Sequence, residues 1–215
     1  MIGIATLHNA GYKSLADVTY DGNKVPYAEL HGYKTFAMTD GWSDNIYFDS
    51  IRYLIEVLEN NPDLKWVWWL DCDAMITNFT KKLEDIVDDD YHIIMSTDVN
   101  GINAGSFFVR NSPEGLDWLK MIMSYKPAYD IQRWPLVEQA VMVKEFDNYK
   151  HLFKIVPQKL INSYMYEHYP EVAHKNNMDI LGTSGQWEVG DFVLHIPARG
   201  NDMRIDIFNK IQIVR

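Results

Sequence analysis

The sequence predicts an α/β domain with a mainly parallel central sheet. Strand-like and helix-like stretches alternate along the chain, which is the pattern of strands joined by helical crossovers. Trp66–Leu70 is a nearly continuous aromatic and apolar run, as expected of a central strand covered on both faces. Tyr47, Phe48, Ile51, Leu54, Ile55 and Leu58 recur with the spacing of one core-facing helical stripe.

Each element has a local signal. Ile2–Leu7 is the first strand candidate, followed by a polar loop through Asn9, Gly11 and Lys13. Val25–His31 reads as a short helix stopped by Gly32, the usual left-handed residue after a C-cap. Tyr33–Met38 is the second strand. Ser43 or Asp44 is the expected cap of the apolar-striped helix, which Asn60-Asn61-Pro62 ends. His92–Ser96 and Ser106–Arg110 are further strands with a loop between them. Ser112 followed by Pro113 opens a helix that Pro127 closes, and Pro135 opens another running to about Tyr149. Phe153–Val156 and Phe192–Ile196 are the late strands. With 215 residues and no linker or repeat, residues 1–215 are expected to form one domain, alone or as a piece of a longer polypeptide.

Bulk properties narrow the function. Thirty acidic against 20 basic residues leave a formal charge of −10, which argues against nucleic acid as the partner, because phosphate backbones demand a basic face. An anionic nucleotide would then need a metal ion or local Lys and Arg to offset the field. Cys72 is the one cysteine, so no intramolecular disulfide forms, which suits a reducing compartment. No run approaches the ~18 apolar residues of a membrane span. The expected location is cytoplasmic.

The sharpest chemical feature is Asp71-Cys72-Asp73 at the end of the buried run. In extended backbone residues two apart point the same way, so Asp71 and Asp73 would face one cleft while Cys72 turns into the core. In open α/β sheets ligands gather beyond the carboxyl ends of strands. Paired carboxylates repel unless a cation sits by them, and their hard oxygens suit Mn²⁺ or Mg²⁺, which also bridge phosphates. Asp88-Asp89-Asp90 has the same pattern, but no strand delivers it, and it reads as a solvated turn. Farther on, Phe192, Leu194 and Ile196 alternate onto one face and leave His195 on the other, with Arg199 and Gly200 beyond. Imidazole suits Mn²⁺, and Arg199 could clamp a diphosphate, although most of the seven histidines of such a chain bind nothing. Asn103-Ala104-Gly105-Ser106 is a small polar turn whose backbone could approach a sugar, and equally a plain tight turn. Glu138-Gln139 stands near a helix start, where polar side chains are usually just solvated.

In chain order these pieces resemble a known family. Asn23-Lys24-Val25-Pro26-Tyr27-Ala28-Glu29-Leu30-His31-Gly32-Tyr33 is similar to the Asn-x-x-x-Tyr-x-x-x-His-Gly-Tyr segment of the galactosyl-, mannosyl- and xylosyltransferase family. That family includes fungal α-1,2-galactosyltransferases and plant xyloglucan xylosyltransferases. Trp66 to Asn78, Asn103 to Ser112, Glu138-Gln139, Val156-Pro157-Gln158 with Asn162-Ser163-Tyr164, and Gly190 to His195 resemble its later blocks. The chain also looks like the glycosyltransferase domain that large algal viruses encode for capsid glycans.

The resemblance implies a GT-A fold, a Rossmann-like nucleotide-binding domain with an adjoining acceptor cleft. It implies a metal-dependent, retaining transfer from a nucleotide sugar, with a UDP-sugar favoured, to a glycan or glycoprotein. Asp71, Asp73 and His195 would hold Mn²⁺ or Mg²⁺, and Asp98, Asn103, Ala104 and Gly105 the donor sugar. Gln139 would lie beneath the anomeric carbon with Glu138 as its charged neighbour. Thr6, Tyr12, Arg52, Asp71 and Arg199 would meet the nucleotide, and Arg199, Arg204 or Arg52 would steady the departing diphosphate. Val137 departs from the family, whose plant members carry an acid there, and the membrane anchor of Golgi members is missing. Trp42, Trp134, Trp187 and Tyr164 are candidate sugar-stacking walls among 7 Trp and 13 Tyr. A metal-dependent nucleotide-sugar hydrolase and a non-catalytic carbohydrate-binding module on the same fold are the competing readings.

Overall fold

The computed structural model describes residues 1–215, apart from the side chains of 173–175. Strand β1 (Ile2–Leu7) leads through a short 3₁₀ turn to α1 (Lys13–Ala16), a π-helix (Asp17–Lys24) and α2 (Val25–His31), which run on without a break. Then come β2 (Lys34–Met38), α3 (Ile46–Asn60), β3 (Trp66–Leu70), β4 (Ala74–Ile76), β5 (Ile93–Asp98) and β6 (Gly101–Arg110). Helices α4 (Pro113–Ser124), α5 (Lys126–Gln132) and α6 (Val137–Tyr149) follow. The chain ends with β7 (Phe153–Val156), α7 (Gln158–Ile161), β8 (Ser163–Tyr164), β9 (Val193–His195) and α8 (Asn201–Lys210).

Six strands form the main sheet in the order β2-β1-β3-β6-β5-β7. Only β6 among them runs antiparallel to its neighbours, so the sheet is mainly parallel, as the alternation predicts. All five residues of β3 are buried. Their side chains alternate between two apolar layers, with Val67 and Trp69 toward α3 and α4 and Trp66, Trp68 and Leu70 on the other face. The Trp68 ring stacks on Phe108 and Phe192, with centroids 5.3 Å away in each case. Such pairs add about 1 kcal/mol beyond the area they bury. A smaller sheet, β4-β9-β8, lies beyond the end of β3 and carries the late strand predicted around His195.

Several boundaries differ from the sequence reading, each for a local reason. The stretch read as a polar loop after β1 is helical, because Leu15, Ala16, Thr19, Asn23 and Lys24 bury themselves against the chain after β3. Its buried face is largely polar, so no hydrophobic period announces it. Asn45, not Ser43 or Asp44, caps α3, its Oδ1 accepting from the N–H groups of Tyr47 and Phe48. Pro127 does not close α4; it stands in the first turn of α5. Pro135 precedes α6 by two residues, and Arg133, Leu136 and Val137 take left-handed backbone angles on the way in. The segment expected as a loop between two strands is paired: Thr97 faces Ile102 and Asp98 faces Gly101 in a β5–β6 hairpin with an irregularity after Met95. Gly32 (φ 74°) ends α2 as predicted.

Candidate active site

The end of β3 delivers Asp71 and Asp73, but not through extended backbone. Leu70 is the last strand residue, and Asp71–Asp73 turn back into β4, closed by the Ala74 N–H donating to the Asp71 carbonyl at 3.1 Å. The two carboxylates converge because of this turn rather than by strand alternation. Strand β9 pairs antiparallel with β4, and the register sets His195 opposite Ala74. As a result the ligand-type atoms of Asp71, Asp73 and His195 all lie within 4.8 Å of one another.

The ring of His195 is fixed from behind. Asn162 Nδ2 donates to Asn103 Oδ1 at 2.8 Å, which leaves Asn162 Oδ1 to accept from His195 Nδ1, also at 2.8 Å. Nε2 is then the ring nitrogen turned to the aspartates, 3.1 Å from Asp73 Oδ1 and 3.9 Å from Asp71 Oδ2. A polar acceptor on the far nitrogen is the usual support of a metal-binding histidine. Asn162 lies in a block that carried the resemblance, but nothing in its own neighbourhood marks it as a support for His195.

The two aspartates are not equivalent. Enclosure in the cleft, and then the charge of Asp73, push the Asp71 carboxyl up, although Trp69 Nε1 donates to its Oδ1 at 2.8 Å. Burial also opposes the charge on Asp73, but His195 and the guanidinium of Arg204 outweigh it and hold that carboxyl below its ordinary value. Two near-contacting carboxylates, one of them driven toward protonation, with a histidine nitrogen facing both, form a donor set that fits a divalent cation.

A cleft of about 680 Å³ opens over this cluster. One wall carries Asn103, Ala104 and Gly105 from β6 together with Glu138 and Gln139 from the first turn of α6. The Ala104 N–H donates to Gln139 Oε1 at 3.1 Å, tying the two elements together. Glu138 is 8% exposed and its Oε2 has no hydrogen-bond partner among the described residues. Burial, and secondarily the charge of Asp71, push its carboxyl up to about 8.

Other predicted site residues take different places. Tyr12 and Arg199 line the cleft, but the Arg199 guanidinium donates to the His168 carbonyl, pairs with Glu171 and lies over the Tyr169 ring. Arg204, offered only as an alternative, is the buried cation that meets Asp73. Thr6 and Arg52 are not in the cleft wall, which takes Leu7, His8 and Asn9 from the first strand's end. Thr6 is fully buried, and Arg52 is held by Asp49, Glu56 and the Gly41 carbonyl. Asp98 stands behind the wall, accepting from Asn103 Nδ2 at 2.9 Å and from Tyr164 Oη at 3.2 Å, so it positions Asn103.

Tyr164 and Trp187 are core residues, Trp134 lines a separate pocket beside α5, and Trp42 is outside the cleft. The aromatic side chains at the cleft are Tyr12, Tyr47 and Trp69. The decoy Asp88-Asp89-Asp90 is a surface turn paired with Lys154 and Lys65.

Gly105 has a different reason from close approach to a ligand. A Cβ there would lie 2.3 Å from His195 Cε1, so the glycine makes room for the imidazole. Gly105→Ala is expected to displace the ring and weaken Mn²⁺ binding about 10–100-fold, the range for losing the support of a metal ligand. A Mn²⁺ titration of the folded variant checks this, and an unchanged affinity would count against His195 as a ligand.

No helix among the described residues is long and apolar enough to cross a membrane. The chain is 30% identical over 189 residues to an α-1,2-galactosyltransferase of Schizosaccharomyces pombe, covering 67% of this chain and 50% of that protein. It is 29% identical over 109 residues to xyloglucan 6-xylosyltransferase 1 of Arabidopsis thaliana, covering 45% of this chain and 24% of that one. The chain thus spans about half the length of the yeast relative, and less of the plant one.

Among solved structures, a glycosyltransferase involved in the glycosylation of the major capsid of PBCV-1 superposes with a TM-score of 0.76 at 17% identity, over 98% of this chain and 99% of that one. The galactosyltransferase LgtC, solved with donor and acceptor sugar analogues, superposes with a TM-score of 0.60 at 12% identity, over 99% and 97%. These likenesses establish the GT-A fold. The family model described as galactosyl transferase GMA12/MNN10 matches residues 8–90 and 86–200, which takes in the aspartate turn, the β6 wall, Glu138-Gln139 and His195. On that match the chain belongs to the galactosyl transferase GMA12/MNN10 family.

Proposed function

We propose that this chain is a metal-dependent, retaining glycosyltransferase that moves a sugar from a nucleotide-sugar donor, a UDP-sugar in the favoured case, to a glycan or glycoprotein. The observation that carries the reading is the Asp71–Asp73–His195 cluster at the floor of a cleft whose wall also bears Glu138 and Gln139. The three ligands would hold Mn²⁺ or Mg²⁺, which supplies charge neutralisation for the diphosphate when bound.

The protein's own residues then divide the remaining work. Asn103, Ala104 and Gly105 line the sugar's path with small side chains and backbone, and Asp98, Tyr164 and Asn162 hold the Asn103 amide in place. Gln139, braced by the Ala104 N–H, presents a neutral polar group beneath the anomeric carbon. Above about pH 8, where it ionises, the shielded Glu138 carboxylate would stabilise a nearby developing positive charge strongly. Tyr12 fits the nucleoside side of the cleft. Tyr47 and Leu136, each 55% exposed at the cleft wall, offer apolar faces to an acceptor sugar ring.

Calorimetry with UDP and with GDP, each with and without Mn²⁺, tests the core of this reading, and a donor-sugar panel follows. UDP is expected to bind at least tenfold more tightly with Mn²⁺. If neither nucleotide gains from the metal, the metal-dependent reading fails.

A further inference from the structure

Lys24 carries a charge into the interior, and none of the chemistry above uses it. Its side chain is fully buried at the end of the π-helix, and Nζ donates to the Ala74 carbonyl at 2.6 Å and the Thr19 carbonyl at 3.2 Å. Both acceptors are neutral. Burying an ammonium on neutral oxygens is costly, so a mere filler at this position would be an apolar side chain.

The surroundings show where the charge is aimed. In a π-helix the i→i+5 repeat brings residues four and five apart onto one face. Thr19, Asn23 and Lys24 therefore all meet the chain from Cys72 to Ile76. Thr19 Oγ1 donates to the Cys72 carbonyl at 2.6 Å. Asn23 pairs with both backbone groups of Ile76, each at 2.8 Å, as a neighbouring strand would. Thr19 and Asn23 hold the segment by neutral bonds, and Lys24 adds a fixed positive charge at Ala74, the residue after Asp73. A second buried cation, Arg204, is 3% exposed and pairs with Asp73 directly. Charges enclosed in this way are screened little by salt and act at a low effective dielectric.

We propose that Lys24, together with Arg204, compensates the charge of Asp71 and Asp73 in advance, so that the site takes up a divalent cation with an anionic diphosphate rather than alone. This rests on the reading of the cluster as a metal–diphosphate site. Against two bare aspartates a divalent cation would bind strongly by itself. With Arg204 on Asp73 and the Lys24 charge at the neighbouring Ala74 carbonyl, the net charge falls toward neutral, so the lone metal gains little and the diphosphate supplies the missing negative charge.

The test is Mn²⁺ binding to the whole chain at pH 7, read from the electron paramagnetic resonance of the free ion, with and without UDP. Wild type should bind Mn²⁺ weakly alone and at least tenfold more tightly with UDP. Lys24→Met should bind Mn²⁺ alone at least fivefold more tightly than wild type, and its gain from UDP should shrink by a similar factor. Asn23→Ala loosens the same segment while keeping the charge, so its affinity for Mn²⁺ alone should not rise; a rise would overturn the proposal.

A Lys24→Met protein that binds Mn²⁺ alone more weakly, or unchanged, would make the lysine a scaffold and overturn it too. If Lys24→Met does not fold, Arg204→Met carries the same expectation of tighter binding to Mn²⁺ alone, and its failure has the same meaning. Wild type that binds no Mn²⁺ even with UDP would instead remove the metal-site reading, and this proposal with it.

Discussion

Replacing Asp73 with Asn is expected to abolish the gain in UDP affinity that Mn²⁺ provides and to slow sugar transfer at least ~100-fold. The size follows from removing a charged group that acts on the diphosphate in an enclosed site, where single groups are worth about a hundredfold or more. Asp73 has no spare redundancy: Oδ1 faces His195 Nε2 at 3.1 Å and Oδ2 takes the Arg204 guanidinium. Asn keeps the volume but leaves Arg204 buried without a carboxylate, and breaking such a pair costs about 3–5 kcal/mol. The variant should therefore also unfold at lower urea concentration. Gln139→Ala is the companion measurement. It should leave UDP and Mn²⁺ binding near wild type while slowing transfer, because Gln139 lies on the wall and outside the ligand cluster. Calorimetry and a transfer assay on the two variants decide the matter, and an Asp73→Asn protein whose UDP binding still responds to Mn²⁺ would refute the assignment.

Glu138→Gln is expected to move stability and activity in opposite directions. Burial raises the Glu138 carboxyl to about 8 in the folded chain, while in the unfolded chain it titrates at its ordinary value of 4.5. Between those values the folded protein holds a proton that the unfolded chain has released, so wild-type stability falls as pH rises through this window. Below the unfolded value both states are protonated and the loss is absent. Gln lacks this titration, so the variant's advantage should be near zero at pH 4, grow through neutral pH and level off above pH 8. At its plateau it should reach roughly 5 kcal/mol. Urea denaturation of both proteins at pH 5, 7 and 9, in the presence of a chelator, reads this directly. Transfer at pH 9, where the wild-type carboxyl is ionised, should fall, since the amide cannot carry the negative charge. A variant no more stable than wild type at pH 9 would mean that Glu138 is better solvated than its 8% exposure and unpartnered Oε2 indicate.

Much of the site was legible because its signals are local. The run Trp66–Leu70 is buried on both faces, so its sequence had to be apolar throughout, and the switch to Asp71-Cys72-Asp73 marked the strand's end. The alternation of Phe192, Leu194 and Ile196 set His195 apart from their core face, toward the aspartates. Arg52, Thr6 and Trp187 were misplaced for a common reason. Their types suit a nucleotide or a sugar, but whether a side chain reaches the cleft depends on neighbours far away in sequence. Arg52 is taken by Asp49 and Glu56, Thr6 is sealed inside the sheet, and Trp187 is spent on Thr77.

The sequence by itself determined the α/β class, the mainly parallel sheet and the pair of aspartates at the end of the buried strand, with His195 set off from the core face of its own strand. These follow from hydrophobic period and from residue types whose chemistry is narrow. The tertiary structure alone decided what sits behind them: the π-helix face of Thr19, Asn23 and Lys24, the Asn162 bond that orients His195, the room that Gly105 leaves, and Arg204 on Asp73. Each of these is a polar or small residue buried by a long-range contact. Such a residue leaves no periodic trace in the sequence, because what makes its burial tolerable is a hydrogen-bond partner that only the folded chain supplies.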